Sequence, residues 1–159
     1  MKSANKDKEY MQKAISEAKK GVCKNHGGPF GSIIILNNEI IAKAHNEVIK
    51  TKDSTAHAEI VAIRRASKKL GTHNLQGCEI YTTSKPCPMC LAAIMWAGIE
   101  KIIYGTNSKD VEKIGFKDHY IYEIIKGKQI KKLKEKQIMR TECLKVLNEW
   151  NCKTDKQQY

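Results

Sequence analysis

Apolar and polar positions follow two periods along this chain, and the switches between them outline its elements. Over residues 6–20, Tyr10, Met11, Ala14, Ile15 and Ala18 recur at helical spacing. This predicts an amphipathic helix that Gly21 stops. Residues 25–31 have loop composition, with Gly27, Gly28 and Gly31 around Pro29 and Phe30. Residues 32–36 and 39–44 read as strands, and Asn37 and Asn38, which tolerate positive φ, make a two-residue hairpin between them. His45, Asn46 and Glu47 follow the second strand.

A helix is predicted over residues 56–70, capped by Asp53, Ser54 or Thr55 and ended by Gly71, with Ile60, Val61, Ile63 and Leu70 on its buried side. A third strand, 79–83, leads into a loop holding Cys87 and Cys90. The helix after it, 89–97, is apolar nearly all round and is expected to be buried. A fourth strand spans 101–105, a helix 120–126, a fifth strand 129–134 and a last helix 141–150. Helices alternating with strands predict an α/β chain. The expected form is a three-layer α/β/α domain around a mixed sheet of about five strands, with a parallel right-handed crossover from 79 to 105. Residues 1–159 read as one domain, without linker or repeat.

Composition narrows the function classes. With 41% hydrophobic residues the chain is globular, and no apolar run approaches a membrane span. The charged start, without an apolar signal core, points to a cytoplasmic protein. There the six cysteines are better read as metal ligands or free thiols than as disulfides. The net charge of +12 allows a nucleic-acid partner, but the lysines are spread along the chain and Arg is scarce, as a general compositional bias also produces.

Cys87 and Cys90, three apart, can present both sulfurs to one metal ion, although CxxC also serves as a redox pair or a closed zinc knuckle. His57 and Glu59 lie at the start of one predicted helix as the two cysteines lie at the start of the next. Free N–H groups and the helix macrodipole favour negative charge at both places. One nitrogen and two sulfurs leave the fourth tetrahedral position open to water, which separates a catalytic zinc site from a structural one. Glu59 is placed to move protons as base and then acid. The pattern His-x-Glu followed by Pro-Cys-x-x-Cys matches the zinc deaminase signature.

On these motifs the chain resembles the cytidine/deoxycytidylate deaminase superfamily, and within it the bacterial-type guanine deaminases. The residues carrying the resemblance are Gly27 to Gly31, Thr55 to Glu59, Ser84 to Cys90, Gly115 to Tyr122 and the terminal Tyr159. The middle motifs are shared with tRNA adenosine deaminases. The resemblance implies one zinc per chain held by His57, Cys87 and Cys90, with water as fourth ligand, and hydrolysis of guanine to xanthine and ammonia. It implies proton transfer by Glu59 with help from Asp118, and substrate contacts from Phe30, Asn46, Trp96, Asp118 and Tyr159. It also implies a purine base as small-molecule partner and a homodimer, in some members exchanging the C-terminal segment, here about residues 127–159. Deamination of adenosine in tRNA, or of another nucleobase or nucleoside, is the alternative. Lys85 departs from the pattern, standing where an acidic residue is usual, and so does the lysine-rich stretch 126–136.

Overall fold

A computed structural model of the chain describes residues 2–127 and 136–155. Helix α1 (Lys2–Cys23) is followed by strands β1 (Gly31–Leu36) and β2 (Glu39–His45), the short helix α2 (Val48–Thr51) and α3 (Ala58–Leu70). Then come β3 (Glu79–Ser84), α4 (Pro88–Trp96), β4 (Lys101–Thr106), α5 (Ser108–Glu112), α6 (Asp118–Ile125) and α7 (Arg140–Cys152). The sheet is mixed, in the order β2-β1-β3-β4, with β1 antiparallel to both neighbours and β3 parallel to β4. Four strands lie among the described residues, against about five expected; the fifth, 129–134, falls outside them.

The strand period of two sorts β1 between two cores. Ile33 and Ile35 face Tyr10 and Ala14 of α1, together with Tyr81. Ile34 faces the other way, among Ala62 and Ala66 of α3, Ile94 of α4 and Ile80. Helices therefore cover both faces. Burying one such isoleucine fully stabilises the fold by about 1.5–3 kcal/mol, so β1 anchors both layers. Gly31 lets α1 approach this closely, since a Cβ there would meet the Ala14 carbonyl and the Ala18 amide. Asn37 and Asn38 take φ of 50° and 67°, the double positive φ that a tight hairpin requires.

Two boundaries and one burial pattern differ from expectation. Gly21 does not stop the first helix, which runs on to Cys23. The glycine serves packing, because a Cβ there would lie 2.8 Å from the His45 ring. Asp53 does not cap α3; its Oδ1 accepts from the Thr55 amide and hydroxyl, and the N-cap position falls to His57. Nor is α4 buried all round. Pro88, Cys90 and Ile94 face the core, while Met95 and Trp96 are 70% and 72% exposed. A nine-residue helix lying on one face of a sheet can hide only one side of itself. Among the described residues no helix is long and apolar enough to cross a membrane.

Candidate active site

Two helix starts create the centre of the site. His57 is the N-cap residue of α3 and Cys87 that of α4, and neither uses its side chain as a cap. Both side chains are thus left for other partners. Pro88, whose ring favours a helix's first turn, fixes the start of α4. Cys90 then lies one turn along on the same side. The parallel β3–α4–β4 crossover sets this turn at the carboxyl end of β3.

His57 Nδ1 lies 3.6 Å from Cys87 Sγ and 3.5 Å from Cys90 Sγ. Zinc–sulfur arms of about 2.3 Å and zinc–nitrogen arms of about 2.0–2.1 Å at tetrahedral angles place nitrogen and sulfur about 3.6 Å apart. The three side chains therefore fit a zinc ion as they stand. Cys23, Cys78, Cys143 and Cys152 do not join them in any group of potential ligands among the described residues. Among the described residues the group offers a metal ion three protein ligands.

The electrostatics agree. Donation from Cys90, and then from His57, outweighs burial and holds the Cys87 thiol at about 4. Cys90, the donor within the pair and itself buried, is pushed up. The hydrogen bond to Cys87 raises His57 in turn. A divalent cation between these groups would leave both sulfurs as thiolates.

Glu59, in the first turn of α3, is 6% exposed. Its Oε1 accepts from the Thr82 hydroxyl at 3.2 Å, and its Oε2 lies 3.5 Å from Cys90 Sγ. Burial first, and the charge on Cys87 next, lift this carboxyl above the ordinary range. A carboxyl raised in this way is suited to holding a proton as well as giving one up.

A cavity of about 20 Å³ adjoins these groups, lined by Phe30, His57, Glu59, Ser84, Lys85, Cys87, Phe116 and Asp118. Phe30 and Phe116 meet edge to face, with centroids 5.0 Å apart. Asp118, at the start of α6, is raised by burial and by the Cys87 charge, against the pull of His57. Asn46 is buried just behind. Its backbone amide donates to the Phe30 carbonyl, and its Oδ1 accepts from the Gly28 and Val48 amides at 3.3 and 3.2 Å. Gly27 permits this, because a Cβ there would collide with the Asn46 amide oxygen.

The structure thus gathers His57, Glu59, Cys87, Cys90, Phe30 and Asp118, with Asn46 one hydrogen bond away. It does not bring Trp96 to the cavity of its own chain. That residue ends α4, whose first turn carries the cysteines, and nine residues of helix put it roughly 13 Å further along. Tyr159 lies outside the described residues. Sequence reasoning missed Thr82, and it placed Ser84 and Phe116 within motifs without giving either a role at the site. Thr82 and Ser84 share one face of β3 by alternation, a signal that was readable once the strand was placed.

A second group, His26 Nδ1, His45 Nε2 and Glu47, also brings potential ligand atoms together. Here Oε1 of Glu47 already accepts from Lys50 and Arg65 at 3.1 and 3.0 Å, so a divalent ion would face two cations. The group serves structure: His45 ties Glu17 of α1 to His26, fixing the loop that carries Gly27.

Residues 4–106 match the cytidine and deoxycytidylate deaminase zinc-binding region. The chain is 39% identical to the guanine deaminase of Bacillus subtilis over 94% of its own length and 97% of the relative's. It is 48% identical to the tRNA-specific adenosine deaminase of Aquifex aeolicus over 64% of its length and 68% of the relative's. The X-ray structure of the Bacillus subtilis guanine deaminase superposes with a TM-score of 0.90 at 38% identity, covering 96% of this chain and 98% of that one. With its His57–Cys87–Cys90 geometry, its buried Glu59 and its fold, the chain belongs to the cytidine and deoxycytidylate deaminase family, whose members carry a zinc-binding region.

Proposed function

We propose that the protein is a zinc-dependent guanine deaminase, adding water to C2 of guanine and releasing ammonia to leave xanthine, within purine metabolism. The observation that carries this is the placement of Phe30, Phe116 and Asp118 beside His57 and Cys87, which sets an aromatic pair and a carboxyl around the cavity at the proposed metal group. The likeness to guanine deaminase over nearly the whole chain supports it.

His57, Cys87 and Cys90 would hold one zinc ion per chain, which when bound would supply a Lewis acid able to make water nucleophilic near neutral pH. The chain's own residues do the rest. Glu59 takes a proton from the attacking water and delivers it to the purine ring, while a C2–O bond forms. Glu59 then takes the remaining proton of the added hydroxyl and passes it to the amino group, so that the C2–N bond breaks and ammonia leaves as the C2 carbonyl forms. Thr82 fixes Oε1, so that Oε2 faces the centre. Asp118 contacts the base and assists proton transfer. Phe30 packs on the ring. With Asn46 Oδ1 occupied by two backbone amides, its NH₂ is the group free to donate to the purine.

Residues 1–159 form one deaminase domain that pairs with a second copy, exchanging the segment of about 127–159 and bringing Tyr159 over a pocket. Two features support pairing. No residue of α7 is buried, with Val146 and Leu147 each 63% exposed, and Met95 and Trp96 stand exposed on α4. Trp96 then reaches substrate only in the assembled dimer. Six free cysteines fit a reducing, cytoplasmic setting.

Deamination of adenosine in a tRNA loop is the second reading, favoured by the +12 charge and by the 48% identity over the shared region. Ammonia release separates the two. The panel comprises guanine, guanosine, adenine, cytosine, cytidine and a tRNA anticodon stem-loop. Release from guanine above all others is expected; release from the stem-loop alone would replace guanine with RNA as substrate.

A further inference from the structure

The helix that carries Asp118 is weakly held. None of the eight residues of α6 is fully buried, and Tyr120, Ile121 and Ile125 are exposed. One side-chain hydrogen bond joins α6 to the rest of the domain among the described residues: the Tyr122 hydroxyl donates to the Pro86 carbonyl at 2.9 Å. Pro86 immediately precedes the ligand Cys87. Tyr122 lies four residues after Asp118, and helical spacing stacks such pairs on one face. The face that grips the cysteine loop is therefore the face that presents Asp118 to it. The Lys85 ammonium lies 6.0 Å from the Tyr122 ring centroid, a second contact between Tyr122 and the loop before Cys87. The Phe116–Phe30 contact holds the segment before the helix.

We propose that Tyr122 is a positioning residue: its bond to the Pro86 carbonyl sets the position of Asp118 over the reacting base. The proposal rests on the role of Asp118 in deamination put forward above. Without the latch, a helix with no buried residue can shift against the cysteine loop, and a displacement of about 1 Å at a reacting group is enough to cost rate. The zinc ligands belong to α3 and α4, which pack in the core, so they stay in place.

The test is a double-mutant cycle on the full chain carrying zinc, with Tyr122→Phe and Asp118→Asn made singly and together. Tyr122→Phe removes one hydroxyl and should lower kcat/KM for guanine on the order of tenfold while keeping one zinc per chain. In the Asp118→Asn background the same change should cost less than about twofold, because it acts through the carboxyl already lost. Hydrogen exchange of the amides of α6 should accelerate in Tyr122→Phe, while those of α3 and β3 stay as in the wild type. Wild-type kcat/KM in Tyr122→Phe, or an equal loss in both backgrounds, overturns the proposal and leaves the Asp118 role standing. Full activity of Asp118→Asn overturns both. Unchanged exchange in α6 overturns the latch whatever the kinetics.

Discussion

Glu59 Oε2 lies 3.5 Å from Cys90 Sγ, while the other oxygen of the same carboxylate accepts from Thr82 at 3.2 Å. The three residues come from α3, α4 and β3, so the Glu59 carboxyl is fixed against the His57–Cys87–Cys90 group by the core itself. Glu59→Gln keeps the shape and one acceptor but cannot carry the proton. Metal analysis should still find one zinc per chain, while ammonia release from guanine falls by roughly 10²–10⁴-fold. Turnover at the wild-type rate would remove Glu59 from the mechanism.

Gly27 is a position where one added methyl group would press directly on a residue of the proposed site. A Cβ there would strike the Asn46 amide oxygen, which lies against the Gly28 and Val48 amides. Gly27→Ala should displace the Asn46 side chain and raise KM for guanine on the order of tenfold, with zinc content unchanged. Steady-state kinetics alongside metal content check this. A KM equal to that of the wild type would separate Asn46 from substrate binding.

Glu47 gives the fold a dependence on acid. Burial pushes its carboxyl up, but the bonds from Lys50 and Arg65 outweigh burial and hold it below its ordinary value. A carboxyl depressed in the folded state stabilises above its unfolded pKa, and the contribution fades as pH falls through the folded one. Glu47→Gln should therefore cost about 1–3 kcal/mol at neutral pH, towards the low end because Lys50 and Arg65 are partly solvent-screened. The gap between the two proteins should close below the ordinary carboxylate range. Urea unfolding across a pH series measures it; a gap independent of pH would mean that the charge contributes nothing.

Loss of the last residues should affect the substrate more than the metal. Deleting residues 157–159 removes Tyr159, the proposed lid of the pocket. Guanine turnover should fall while the zinc stoichiometry stays at one, because His57, Cys87 and Cys90 depend on α3 and α4 alone. Full turnover by the truncated chain would deny Tyr159 that role.

By itself the sequence picked out the His57, Cys87 and Cys90 group that the fold brings together, and the order of the longer elements around it, though not the short helices α2 and α5. Both are local: a histidine and two cysteines at helix starts, and apolar periods of two and 3.6 residues, need no knowledge of the rest of the chain. It misjudged elements whose boundaries depend on distant partners. Gly21 reads as a stop, yet it is a close approach to His45, twenty-four residues away. The run 89–97 reads as buried, yet Met95 and Trp96 face outward because the sheet covers one side of α4. Only the tertiary structure decided the surroundings of the metal group. Thr82 reaches Glu59 from another element, Phe116 meets Phe30 across the cavity, and Tyr122 ties α6 to Pro86. Those contacts join residues 23, 86 and 36 positions apart, set by how strands and helices stack rather than by any spacing along the chain.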